Sequence, residues 1–333
     1  MATPALRAVR AGFPGAHIAW LVKEHVKKII ETLPVQDEII EYDDAGQYRG
    51  TTGLLSFSLH LKRKKFDLAV VLPNSFSSAL MVFLAGIKRR VGYSREARGF
   101  MLTDPIPPPQ DGSQIVPIPM VEYYLRITDR LRCPRLRTSP ELAVSSAARR
   151  VANDLLIRIG VNEKPMLITV IPGAAYGSSK CWKPEYFAQV ADHLIDHHPC
   201  HVLIAPGPGE VEIARDIEAM MHNEPVILAD PVVPLDVLMA IIESSALVIS
   251  NDTGPRHFAV AFEKPVVVIM GPTDPRYTNL NLEKTIVLRE NLDCSPCHLK
   301  VCPRDHRCMT AITPDRVIQA SQKLIDRFVL AKE

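Results

Sequence analysis

The stretch Ile249-Ser250-Asn251-Asp252-Thr253-Gly254-Pro255-Arg256-His257 decides the architecture. Before it, Ser244 to Ile249 is a run of apolar and small residues of the kind that forms a buried parallel strand. After it, Phe258-Ala259-Val260-Ala261 opens a helix, and a second apolar run, Pro265 to Met270, leads into Gly271-Pro272-Thr273-Asp274-Pro275. A polar, glycine-bearing turn between strand and helix aims free backbone N–H groups and a helix dipole at one point, which favours a phosphate or carboxylate. Asp252 suits sugar or nucleotide hydroxyls, Thr253 and Gly254 allow close approach, and His257 falls on the first helical turn. An ordinary βα turn capped by Asp and Thr would read the same way.

Outward from this turn, strand and helix patterns alternate along the chain, the mark of βα units and parallel sheets. In the second half, Met166 to Ile171 reads as a strand, Pro172 to Ser179 as a loop, and Pro184 to His197 as a helix. His201 to Ala205 is a strand ended by Pro206-Gly207-Pro208-Gly209, followed by a helix from Glu210 to Met221. The first half carries strands at His17–Val22, Glu38–Tyr42 and Phe66–Leu72, with helices between, and a helix from Glu141 to Ile159 closes it. The prolines from Pro105 to Pro119 read as a connection. The fold class expected is α/β, built of two Rossmann-like domains, 1–150 and 151–333, joined near residues 138 to 163. Ligands in such sheets lie beyond the carboxyl ends of the strands.

The chain opens on a helix, with Pro4 near its first position. A doubly wound domain normally opens on a strand, and its loss would leave neighbouring backbone groups unpaired. The expectation is therefore either a rearranged first domain or a reading frame that begins upstream of Met1.

Lys plus Arg (39) nearly balance Asp plus Glu (37), so the net charge of +2 argues against a dedicated nucleic-acid binder. Basic clusters at Lys62-Arg63-Lys64-Lys65, at Lys88-Arg89-Arg90 and from Arg126 to Arg137 are solvated faces or contacts to an anionic acceptor. No apolar run approaches the ~20 residues that span a bilayer. Seven cysteines without a secretory signal point to a reducing, cytoplasmic setting.

Four stretches together resemble glycosyltransferase family 9. They are Pro73-Asn74-Ser75-Phe76-Ser77-Ser78-Ala79-Leu80 with Arg90-Val91-Gly92-Tyr93, Pro172-Gly173-Ala174-Ala175-Tyr176-Gly177-Ser178-Ser179-Lys180-Cys181-Trp182, the Asn251–His257 turn with Gly271–Pro275, and the cysteine-bearing tail from Cys294 to Met309. The likeness is to the lipopolysaccharide heptosyltransferase II group. It implies a GT-B fold with two domains facing a central cleft, the first binding acceptor and the second a nucleotide-sugar. It also implies inverting, metal-independent transfer of heptose from ADP-heptose to the lipopolysaccharide inner core, with transient contact at the inner membrane's cytoplasmic face. Lys180 matches the family's donor-phosphate lysine, and Asp252, Thr253, Gly254 and His257 match its donor-binding turn. Tyr176 and Ser178 become loop contacts, and Glu210 a partner for ribose hydroxyls or simply a carboxylate at a helix start. On the acceptor side the resemblance points to Asn74, Ser75 and Ser78, with Arg90, Arg95 and Arg98 for anionic groups.

The resemblance also implies a strand and a Gly-Asp turn ahead of Ala2-Thr3-Pro4-Ala5-Leu6, whose aspartate would be the general base. This sequence has neither, and Asp43, Asp44 and Asp104 do not occupy equivalent positions. Loss of a positioned base costs about 10²–10⁴ in rate, so a donor-binding protein without transfer is the alternative, beside another family 9 sugar transferase. In the tail, Cys294-x2-Cys297-x4-Cys302-x5-Cys308 has spacing compatible with a tetrahedral structural zinc site. Free thiols in a proline-bearing loop are the other reading. No further cofactor is expected.

Overall fold

The structure, a computed structural model, describes residues 1–161 and 166–332; positions 162 and 163 of the expected junction lie outside them. Two compact units divide at Pro140 and Glu141, and Arg276–Leu280 groups with the first.

The first unit runs α1 (Thr3–Gly12), β1 (Ala19–Val22), α2 (Glu24–Ile30), β2 (Glu38–Glu41), α3 (Gly50–Lys64), β3 (Leu68–Val71), α4 (Phe76–Leu84), β4 (Arg89–Tyr93), β5 (Asp104–Ile106), β6 (Gln110–Asp111), β7 (Gln114–Ile115) and α5 (Met120–Arg130). Its strands form a parallel pair, β1–β2, and a separate parallel group, β3–β4–β5. No strand among the described residues joins the two. Apolar faces of α3 and α4 pack with Ile40 and Val71 in one core, while α1 and α5 pack on Val91 and Tyr93 in another. The Pro105–Pro119 connection thus holds more structure than its prolines suggest. Pro105 is accommodated in β5, whose one recorded neighbour is β4, and an edge strand tolerates a residue without N–H.

The second unit comprises α6 (Ser146–Arg158), β8 (Met166–Ile171), α7 (Pro184–His197), β9 (Cys200–Ile204), α8 (Val211–Met220), β10 (Val226–Ile227), α9 (Leu235–Ser244), β11 (Leu247–Asn251), α10 (Arg256–Ala261), β12 (Val266–Ile269), β13 (Thr285–Leu288), α11 (Arg307–Thr310) and α12 (Pro314–Phe328). Helix α6 begins at Ser146 rather than Glu141 because Ser145 Oγ accepts the Ala148 N–H, a side-chain N-cap that fixes the start. Six parallel strands stand in the order β10-β9-β8-β11-β12-β13. Strands β8, β11 and β12 are buried at every position, which accounts for their unbroken apolar runs. Strand β13, whose residues are all half-buried, forms one edge.

Candidate functional site

The chain leaves β8 and builds outward through β9 and β10, then returns to the other side of β8 with β11 and continues through β12 and β13. The winding therefore reverses between β8 and β11, and the loops that follow these strands diverge from one place, the usual position of a ligand in such a sheet. Ser250 pairs with Ile171 in register, so Pro172 and Asp252 leave the sheet side by side.

Asn251 locks the two exits together. Its Nδ2 donates to the Pro172 carbonyl at 2.5 Å, and its Oδ1 accepts the Trp182 N–H at 3.2 Å. Trp182 is 1% exposed and donates Nε1–H to the Ile312 carbonyl at 2.9 Å, so the loop between is anchored at both ends.

Lys180 and Asp252, separated by 72 residues, meet here. Lys180 Nζ donates to Asp252 Oδ2 at 3.0 Å and to the Asp252 carbonyl at 2.9 Å. Thr273 Oγ1, on the loop after β12, donates to the same Oδ2 at 2.5 Å. Arg256 Nε lies 2.9 Å from Asp252 Oδ1. Although Arg256 is only 1% exposed, its Nε, Nη1 and Nη2 form no hydrogen bond among the described residues. The short Nε distance is an ion contact without hydrogen-bond geometry.

Burial works to raise the Asp252 pKa, but Arg256, Lys180 and Thr273 together hold it below the usual carboxylate range. Burial lowers the Arg256 guanidinium against the pull of Asp252. Burial also pushes His257 well below its ordinary value, with Arg256 adding to the effect, so its imidazole is neutral at pH 7. Two cations thus share one carboxylate in a nearly dry spot, with spare N–H donors. Such a cluster calls for an anion. Helix α10 is only six residues long, so the attraction comes from these side chains more than from a long helix dipole.

The other donor-side residues gather around the same loops. Tyr176 donates its hydroxyl to the His298 carbonyl at 2.6 Å, and Lys180 Nζ lies 5.2 Å from the centre of its ring. Ser178 is exposed on the loop, Thr253 is half-buried, and the space above Gly254 is open. Glu210 turns back so that Oε2 accepts the Gly207 N–H at 2.8 Å, and its carboxylate abuts Gly173, where a Cβ would fall 1.8 Å away.

The cysteine-bearing tail forms a strap over these loops. Ser179 N–H donates to the Lys300 carbonyl at 3.0 Å, Ser179 Oγ to the Leu299 carbonyl at 2.5 Å, and His306 Nε2 meets the Ser179 carbonyl at 2.7 Å. On the other side, Cys297 and His298 N–H groups bond the Pro272 carbonyl. Gly177 passes so close that a Cβ would stand 2.3 Å from the Lys300 oxygen, and its φ of 155° disfavours any side chain. Cys294, Cys297, Cys302 and Cys308 are free thiols. The Cys308 thiol is pushed up to about 11 by burial, with Cys302, Cys294 and Cys297 adding to it. No group of three or more His, Cys, Asp or Glu side chains able to hold a metal occurs among the described residues. The four cysteines, as placed, do not form the tetrahedral set that their spacing allows. The strap is held by its backbone instead.

In the first unit, Asn74 Oδ1 accepts the Tyr123 hydroxyl at 3.0 Å, and Ser75 Oγ caps α4 by accepting the Ser78 N–H at 3.3 Å. Arg98 is fully buried and donates to the Tyr93, Pro73 and Ser75 carbonyls and to Ser78 Oγ, while its Nη2 has no partner among the described residues. Arg90 donates to the Met101 and Ile87 carbonyls. Arg95 is half-buried beside them.

The model of glycosyltransferase family 9 (heptosyltransferase) matches residues 54–307, and both Lys180 and Asp252 fall within it. The chain belongs to glycosyltransferase family 9. It is a glycosyltransferase of the heptosyltransferase type with a GT-B fold. Lipopolysaccharide heptosyltransferase 2 of Escherichia coli strain K12 is 26% identical over 96% of this chain and 92% of its own length. The solved structure of E. coli ADP-heptose lps heptosyltransferase II superposes with a TM-score of 0.78, at 25% identity, over 98% of this chain and 94% of that one. E. coli heptosyltransferase WaaC with ADP-2-deoxy-2-fluoro heptose shares the fold, with a TM-score of 0.67 at 18% identity over 97% of this chain and 94% of that one.

Arg256 and Thr273 received no individual role from the sequence, although both stand in the quoted motifs. The only signal for Arg256 was a cation on the first turn of a helix, where cations are disfavoured.

Proposed function

We propose that this family 9 enzyme moves heptose from ADP-heptose to the inner core of lipopolysaccharide, inverting the anomeric carbon and using no metal. One observation carries the reading: half-buried Lys180 and buried Arg256 share the single carboxylate of Asp252 at the switch point of the sheet. A nucleotide diphosphate supplies the missing negative charge. ADP-heptose is the donor favoured because relatives bearing that name or holding its analogue cover nearly the whole chain.

In the transfer, an acceptor hydroxyl forms a new bond to the anomeric carbon as the bond to the diphosphate oxygen breaks. The electron pair leaves with ADP, and a base takes the hydroxyl proton. Lys180 and Arg256 stabilise the charge that develops on the departing diphosphate, the part of such reactions that a metal serves elsewhere. Asp252 orients both cations. Held low in pKa by them, it is a poor proton acceptor. Thr253 and Gly254 let the diphosphate approach, His257 offers a neutral donor, and Glu210 Oε1 takes ribose hydroxyls. Tyr176 and Ser178 line the loop above. Asn74, Ser75, Ser78 and Arg95 meet the acceptor, with Arg90 and Arg98 bracing their loop. The acceptor is carried on lipid A, so the enzyme works against the cytoplasmic face of the inner membrane. No helix among the described residues is long and apolar enough to cross a membrane.

Calorimetric titration with ADP-heptose and UDP-glucose, followed by a transfer assay on isolated inner-core acceptor, tests this. Preferential ADP-heptose binding with transfer supports it. Binding without transfer reduces the chain to a donor-binding protein, and preference for UDP-glucose overturns the donor assignment.

A further inference from the structure

Helix α4 breaks the rule for a surface helix. Its inner face, Ala79, Met81, Val82 and Ala85 at its end, packs in the core, yet its outer face is apolar too. Phe76, Phe83 and Leu84 follow one another at spacings of seven and one and are 44%, 42% and 36% exposed, while Leu80 between them is half-buried against the core. A helix that is apolar all round is expected to be covered on both sides. Phe100, 73% exposed, leans on Phe76 with ring centres 6.5 Å apart and extends the patch.

Helix α3 packs beside α4. Phe57 on one flank of α3 packs against Tyr42, tilted, and against Tyr48, edge-on, toward β2. Leu55 and Leu59, both 49% exposed, lie on the flank opposite Phe57 by helical spacing. Lys62 follows three residues on along the same flank.

The charge of this face is lopsided. From Arg49 to Arg95 the chain has nine Lys and Arg against one carboxylate, Asp67, whereas the whole protein carries only +2. Lys64 and Arg89 pair with Glu38 and Asp104. Lys62, Arg63, Lys65 and Lys88 are exposed at the ends of α3 and just after α4 and have no ion partner among the described residues. Arg90 stands over the Phe83 ring, its guanidinium carbon 5.4 Å from the ring centre. Exposed aromatic and leucine side chains rimmed by unpaired cations match the interface of an anionic bilayer, where rings enter the acyl boundary and lysines meet headgroups. A second copy of the same face would set cation against cation, which disfavours self-association.

We propose that the outer face of α3 and α4 docks on an anionic phospholipid surface. The patch begins at Phe76, between Ser75 and Ser78, so docking brings the bilayer to the acceptor-side residues. The inference rests on the reading of a lipid-linked acceptor, and its test is independent of the donor.

The test is co-sedimentation of the full chain with vesicles of phosphatidylcholine alone or mixed equally with phosphatidylglycerol. Wild type partitions to the anionic vesicles and is released as salt rises. Phe83→Ser with Leu84→Ser lowers that partition roughly tenfold or more, and Lys62→Ala, Arg63→Ala and Lys65→Ala together abolish the preference for anionic lipid. Thermal melts check that each variant is folded, and transfer to a delipidated, water-soluble acceptor stays unchanged in both. Equal binding to both vesicle types, wild-type partition by both folded variants, or a concentration-dependent dimer lost in Phe83→Ser overturns the proposal. Vesicle binding without donor binding instead refutes the proposed transferase reading and leaves the docking face standing.

Discussion

Replacing Arg256 with leucine separates a residue kept for its ligand from one kept for the fold. The buried guanidinium leaves Nη1 and Nη2 without partners among the described residues, and an unmade buried hydrogen bond costs about 1–3 kcal/mol. Leucine removes that cost. It also removes the ion contact to Asp252, but Lys180 and Thr273 remain on that carboxylate, so no charge is stranded. The two effects offset, and the folding free energy of the variant stays within about 1 kcal/mol of wild type. Donor binding behaves differently. A charge-assisted hydrogen bond to a phosphate contributes about 1.5–3 kcal/mol net, so the Kd for ADP rises roughly ten- to hundredfold. Urea unfolding and calorimetric ADP titration on the same preparations measure both numbers. A variant destabilised by several kcal/mol that still binds ADP like wild type would refute the reasoning and make Arg256 a structural partner of Asp252.

Lys180→Met leaves Arg256 and Asp252 as a balanced pair, and kcat falls about 10²–10³-fold with the enzyme still folded; single-turnover assays with far-UV spectra check this. Gly177→Ala forces a Cβ against the Lys300 carbonyl and into a strained φ, costing about 1–3 kcal/mol. Because Lys180 lies three residues along the same loop, donor Kd rises as well, seen by urea unfolding and titration. For pH, the lowered His257 pKa sets the sign: the unfolded chain takes up this proton near 6.5, the folded chain only well below. Stability therefore falls as pH drops below about 6.5, by at most about 1.4 kcal/mol per unit from this group, and melts of His257→Asn show a shallower decline. The lowered Asp252 pKa adds a further loss only in more acid solution, below its unfolded value of 3.8. Dialysis against a strong chelator leaves ADP affinity unchanged, since the strap over the Lys180 loop is held by backbone hydrogen bonds; repeat titration checks it.

Lys180 and Asp252 were legible because each follows a strand whose apolar run marks it as buried, and adjacent buried strands deliver their loops to one point. The role of Arg256 was hidden. Sequence displays a charge but not its burial, and a basic residue on a helix's first turn reads as a solvated one. The same blindness covers Arg90 and Arg98, whose guanidinium groups are tied to backbone carbonyls. Glu210 shows the converse, a carboxylate partly turned inward onto the Gly207 amide. Strands β5 to β7 have two or three residues each, too few to show a period among prolines, and β13 is a half-buried edge without a fully apolar run. The strap that the tail lays over the Ser179 and Pro272 loops was hidden, because cysteine spacing does not report where a carbonyl points.

A crystal structure with ADP-heptose probes the central claim most directly. The account predicts Lys180 Nζ released from Asp252 Oδ2 onto the diphosphate, with Arg256 Nη donors on the same group and Thr273 still holding Asp252. Diphosphate bound away from the carboxyl ends of β8 and β11, with the Lys180–Asp252 pair undisturbed, would contradict it.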